Sequence, residues 1–172
     1  MSATALDTTV MKRILEEALD FGGQKAGHKG VEETLGALKR GDCSICEYVR
    51  YGLAQQVAQY LGSVDRSVKA VYTYEPEYAT GVEGSVPNRP SLSPAISMIA
   101  WVDHKSAALT SVVSILGSAV SEELQRLGCP KANALCHMLD VRVVDDTEVL
   151  GRTGYGALID SVYVRPTEVW RR

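Results

Sequence analysis

No stretch of the 172-residue sequence reaches the roughly 18 to 20 consecutive apolar residues that a membrane-spanning helix requires. Its first 30 residues carry acids within an amphipathic pattern, unlike a signal peptide. Cysteine is sparse: four residues are too few for a disulfide scaffold, and reduced thiols are expected. A soluble, cytoplasmic protein follows as the expectation. Neither sign of charge dominates. The net charge of −3 gives no general attraction for nucleic acid, and the basic clusters are confined to residues 25–29 and the terminal pair Arg171 and Arg172. The three histidines, His28, His104 and His137, are scattered, and no serine sits in a strained nucleophile turn, so no hydrolase triad is read. There is no internal repeat and no low-complexity tract.

What is present is an ordinary globular composition, 45% hydrophobic and 23% charged, which suits one domain over residues 1–172. The stretch around which the chain is organised is 95–128. A short apolar run, Ile96, Met98, Ile99, Ala100, Trp101 and Val102, has the length of a buried strand. After three polar residues, Ala108, Val112, Ile115, Leu116, Ala119 and Leu124 recur at helical spacing until Gly128 and Pro130 stop them. Asp103 or Ser106 stands where that helix needs an N-cap.

Upstream, Val10, Ile14, Leu15, Ala18 and Leu19 predict an amphipathic helix ending at Gly22. The glycine-rich stretch 22–30 is read as a flexible loop. It is not a phosphate loop, because His28, Lys29 and Gly30 stand where a lysine and a hydroxyl residue are required. Residues 31–40 have acids in the first turn, bases in the last and Gly41 after them, a charge order matched to the helix dipole. Asp42 caps a third helix whose predicted buried face is Cys46, Val49, Leu53, Val57, Tyr60 and Leu61.

Alternation predicts strands over 67–75, 138–145 and 157–165, the last stopped by Pro166, with a turn at Asp145, Asp146 and Thr147. Between the first two strands, residues 76–94 hold four of the six prolines and form a long loop. The expected fold is therefore α+β. It has about four mostly antiparallel strands with helices packed on one face, three helices before the sheet and one long helix between the second and third strands.

Two constellations carry possible chemistry. Cys43 and Cys46 form a C-x-x-C at a helix start, where the positive helix end favours a thiolate. A thioredoxin-like site needs a strand before it, and zinc needs a second half-site, which Cys129, Cys136 and the adjacent His137 do not supply by spacing. Cys46 is expected in the core and Cys43 in the first turn. The second constellation has acids at two strand ends, Glu75 or Glu77 and then Asp103 with Lys105, behind a helix bearing Glu47. Over residues 47–127 it resembles the PD-(D/E)xK nuclease superfamily, with Glu75, Pro76 and Glu77 in the place of the Pro-Asp pair. The resemblance implies magnesium held by Glu77 and Asp103, with Lys105 and Glu47 assisting Asp103 in catalysis, a magnesium-dependent phosphodiesterase or nuclease.

The leading expectation is different: a binding or assembly domain without a cofactor, self-associating as a homodimer. Tyrosine supplies eight of the aromatic residues, and the 76–94 loop with Tyr72, Tyr74 and Tyr78 is its expected contact surface. Ser111, Ser114, Gly117, Ser118 and Ser121 on the long helix form a second, small-residue face for close helix approach.

Overall fold

The computed structural model describes residues 8–75, 96–128 and 139–172. The chain runs α1 (Thr8–Ala26), α2 (Val31–Arg40), α3 (Cys43–Val64), β1 (Val68–Tyr74), β2 (Ile96–Val102), α4 (Ala107–Arg126), β3 (Leu139–Asp145), α5 (Asp146–Leu150), α6 (Gly156–Ile159) and β4 (Thr167–Arg171). The sheet order is β3-β2-β1-β4, with β1 antiparallel to both neighbours and β2 parallel to β3. A parallel pair needs a crossover, and α4 supplies it. The architecture is the expected α+β one, three helices preceding the sheet and one long helix between its second and third strands.

Alternation divides the sheet residues between two covers. Val68, Val71, Met98, Ala100 and Val102 face Met11, Ile14 and Leu15 of α1, Leu53, Val57 and Leu61 of α3, and Leu109, Leu116 and Val120 of α4. Tyr74, Ile99 and Val144 face the other way, under Val149, Leu158, Ile159 and Val164. The segment 146–166 is thus a small cap on the sheet face opposite the long helices. A third cluster, Leu19, Ala37, Ile45 and Val49, joins α1, α2 and the first half of α3 away from the strands. Among the described residues α4 is the one helix long and apolar enough to cross a membrane, with a mean hydropathy of 1.3 over its most apolar window. Its Leu109, Leu116, Val120 and Leu124 are buried in the core under the sheet, and a third of that window is buried in all.

Several boundaries differ from the sequence expectation. α1 does not stop at Gly22 but continues to Ala26, so only the end of the 22–30 stretch is non-helical. The glycines serve packing: a Cβ on Gly22 would overlap Val49 Cγ2 and stand 3.1 Å from the Val49 amide nitrogen, and one on Gly23 would overlap the Thr34 hydroxyl. Asp145 caps α5 in place of a turn, accepting from the Thr147 and Glu148 amides while the Glu148 carboxylate accepts from its own. The fourth strand is not 157–165, where α6 and a turn lie, but Thr167–Arg171 after Pro166. A five-residue strand suffices there because it adds to the open edge of β1, and its Trp170 ring sits where a side chain on Gly62 of α3 would be. Cys46 is exposed, and Ile45 takes the buried position expected for it.

Replacing Gly22 with alanine sets two effects against each other. Helix propensity favours alanine by about 1 kcal/mol, and overpacking against a buried backbone costs roughly 1–3 kcal/mol. Because the added Cβ overlaps Val49 Cγ2 while the Val49 main chain crowds it at 3.1–3.2 Å, which limits how far the valine can give, the cost wins. Gly22→Ala should lower the urea midpoint without changing the slope, whereas Gly27→Ala, whose Cβ would meet nothing within 4 Å, acts only through its left-handed backbone.

Candidate functional site

The acids singled out in the sequence are placed at opposite ends of the central strand pair. Register puts Val68 beside Val102 at one end and Tyr74 beside Ser97 at the other. Asp103 follows Val102, whereas Glu47 and Glu75 line a cleft with Tyr74 and Ser97. Seven residues of strand separate the two groups, roughly 20 Å at about 3.3 Å per residue. A shared ion needs oxygens within about 2.6 Å, so Glu47 and Asp103 do not act on one metal. Among the described residues no group of three or more His, Cys, Asp or Glu is arranged to hold one. Glu77 and Tyr78 lie outside the described residues, as do Cys129, Cys136 and His137.

At the Asp103 end every carboxylate is engaged. Lys69 Nζ reaches both oxygens of Asp146 at 2.7 and 2.6 Å and Asp103 Oδ1 at 3.0 Å. The same ammonium lies 5.3 Å from the centre of the Trp101 ring, whose Nε1 donates to Asp146 Oδ1 at 2.7 Å. Arg172 Nη2 stands 3.7 Å from Asp103 Oδ2. Asp103 is therefore held in an ion pair and is not the helix cap. The cap of α4 is Ser106, whose Oγ accepts from the Leu109 amide at 3.0 Å and donates to Asp65 at 2.6 Å. Lys105 turns away to Glu148 at 2.7 Å. The backbone bends at 103–104 and takes Asp103 and Lys105, which would share a face in a continuous strand, to different partners, so the triplet that carried the nuclease resemblance is two separate ion pairs.

These pairs shift the groups they join. Hydrogen bonds from Lys69 and then from Trp101 hold the Asp146 carboxyl below the usual aspartate range, and the carboxylates of Asp146 and Asp103 push the Lys69 ammonium up. The Ser106 hydroxyl, with the Ser67 amide behind it, lowers Asp65. Such wiring fixes the strand end, the α5 cap and the start of α4 to one another. The carboxylates of Asp65, Asp103, Asp146 and Glu148 are all taken up in it.

The other end is open. A cleft of about 470 Å³ lies between α3 and the strand ends, lined by Glu47, Arg50, Tyr51 and Ala54 on the helix and by Thr73, Tyr74, Glu75, Ile96 and Ser97 on β1, β2 and their margins. It exists because α3 changes partners along its length. Leu53, Val57 and Leu61 pack on the sheet, while Ile45 and Val49 pack on α1 and α2, so the first half of the helix stands off the strands.

The tyrosines divide differently from expectation. Tyr72 and Tyr74 are buried, at 7% and 8% exposure, Tyr74 with an edge on the cleft. Desolvation raises both hydroxyls; the Arg171 guanidinium, which donates to the Tyr72 hydroxyl at 3.1 Å, partly opposes it there. The most exposed large apolar side chains among the described residues lie on the cap: Leu150, Val162 and Tyr163 are 82%, 71% and 85% exposed, against 41–43% for Tyr48, Tyr51 and Val64 on α3. The alternation that suggested a strand over 157–165 concealed this, since it placed Val162 and Tyr163 in a sheet. No family model matches the chain, and neither a curated protein nor a solved structure matches it.

The Lys69 cluster has a pH signature. A carboxyl held low in the fold contributes stability that is present above its unfolded value and lost as pH falls through the folded one, below about 4. A raised ammonium contributes stability that is present below about 10.4 and lost above its folded value. Melting temperature followed from pH 7 down to 3 should therefore fall less steeply in Asp146→Asn than in the parent chain. Lys69→Met should flatten both the acid and the alkaline limbs.

Proposed function

We propose that this chain is a non-covalent binding and assembly domain that pairs with a second copy of itself through the cap. The observation that carries the reading is the concentration of exposed apolar surface there. Among the described residues, Leu150, Val162 and Tyr163 are the three most exposed large hydrophobic side chains, and Tyr155 at 40% lies on the same segment. Removing a side chain of this size from water is favourable by about 1.5–3 kcal/mol, so three together give a contact enough drive to matter.

The surroundings suit a like partner. Arg152 and Arg165 are exposed, have no ion pair among the described residues, and share the cap with exposed Asp160. An isologous contact turns the same surface on itself, so a patch must carry both charge signs around its apolar centre to be complementary to its own copy. Both arginines also adopt left-handed backbone, φ 50° and 46°, a conformation costing about 1–2 kcal/mol for a side-chain-bearing residue. They sit at the two turns that carry Leu150 and the Val162–Tyr163 pair outward.

Sedimentation velocity at micromolar concentration tests the pairing. The parent chain should sediment as a dimer, and Val162→Asp combined with Tyr163→Asp should sediment as a monomer with an unchanged melting curve at low concentration. A monomeric parent chain, or a dimer indifferent to both substitutions, would overturn the reading.

A further inference from the structure

The cleft at the β1–β2 end is independent of the cap, and its charge is unusual for this molecule. At the opposite strand end Asp103, Asp146 and Glu148 are all ion-paired. In the cleft, Glu47 on α3 and Glu75 at the end of β1 have neither an ion pair nor a hydrogen bond among the described residues, although both line the same cavity. Tyr51 stands between them on the helix, one turn beyond Glu47, 41% exposed and backed by the Phe21 ring at 5.9 Å. Its hydroxyl accepts from Gln55 Nε2 at 3.3 Å, which holds the ring in place over the cleft's helix wall. Ala54 and Ile96, both buried, give the cleft an apolar floor.

We infer that this cleft binds an organic cation, an ammonium or guanidinium head on a short aliphatic body, with Glu47 and Glu75 taking the head from opposite walls. The geometry favours this class on three grounds. Among the described lining residues two carboxylates stand against the single guanidinium of Arg50, an excess of negative charge. A tyrosine face attracts a cation through its ring quadrupole. The volume lies within the range of about 300–1,000 Å³ that small-molecule sites occupy, and an apolar floor with a few polar groups at the rim is their usual composition. A metal ion is the poorer fit, since it needs several oxygens around one point and no such group of acids exists among the described residues.

Putrescine and agmatine are the probes, with the uncharged butane diol of the same chain length as control. Amide chemical shifts of the full chain should move saturably for residues 47–54, 73–75 and 96–97 with either cation, and not with the diol. Glu47→Gln and Glu75→Gln should each weaken binding by about fivefold or more, and the double substitution should abolish it. Both side chains are exposed, so the variants should keep the parent melting temperature, which separates lost binding from lost fold. Shifts that do not saturate, that spread equally over Glu32 and Glu33 of α2, or that survive the double substitution would overturn the inference. The Val162→Asp, Tyr163→Asp variant should bind the cations as the parent does, so the site and the self-association stand or fall separately.

Discussion

The central strand pair has no face left for water, and this constraint organises the molecule. Five of the seven residues of β1 and six of the seven of β2 are buried, on both sides of the sheet. An antiparallel pair commonly presents one polar face to solvent. Here one face is taken by α1, α3 and α4, and the other has to be covered by something else. The chain after β3 does this with a cap of two very short helices, which have too little apolar surface of their own to dock by burial alone. Lys69 compensates by tying Asp146, the first residue of α5, to the strand beneath it, with Trp101 and Asp103 completing the network. Partly exposed ion pairs of this kind add little when isolated and more when several share one cation. Their effect is to fix the register of the cap over Ile99 and Val144.

The same constraint explains which parts of the fold were legible. A strand buried on both faces reads as a continuous apolar run, and residues 96–102 do; a helix buried on one stripe reads at three- and four-residue spacing, and α4 does. Where local chemistry and tertiary packing disagree, sequence reasoning follows the local signal and misses. Gly22 and Gly23 look like a loop because glycine is a poor helix former, yet they are in α1 because Val49 and Thr34 pass too close for any side chain. β4 has no periodicity worth the name in five residues, and its existence depends on the open edge of β1 and on the space Gly62 leaves for Trp170. The alternation over 157–165 buries Val164 as a strand would, but through a turn, which frees Val162 and Tyr163 to face outward.

The candidate site was half legible for a related reason. Glu47, Glu75 and Asp103 are all acids at element ends, and sequence alone gives each equal claim to a shared centre. What separates them is strand length, which no motif encodes: the triplet at 103–105 and the glutamates are at opposite ends of seven residues of β1. Nor does the sequence reveal that Asp103 and Lys105 already have partners, because Lys69 and Glu148 are distant in the chain. The resemblance to a metal nuclease rests on residue order, and among the described residues Glu47 stands at the opposite strand end from Asp103 while Asp103 and Lys105 each pair with a different neighbour.

Charge saturation therefore distinguishes the two ends of the sheet better than residue type does. At one end acid and base neutralise each other around Lys69, so the energy of bringing them together is spent within the fold and nothing is left for a partner. At the other, α3 leaves the sheet because its first half is committed to α1 and α2, and the gap it opens holds carboxylates that the described fold does not neutralise. A cation entering that gap would gain attraction without displacing an internal partner, whereas one approaching Asp103 or Asp146 would have to compete with Lys69 at hydrogen-bond distance. The cleft thus arises from the point along α3 where its contacts pass from the neighbouring helices to the strands, and the ion cluster from the need to hold a small cap over the opposite sheet face.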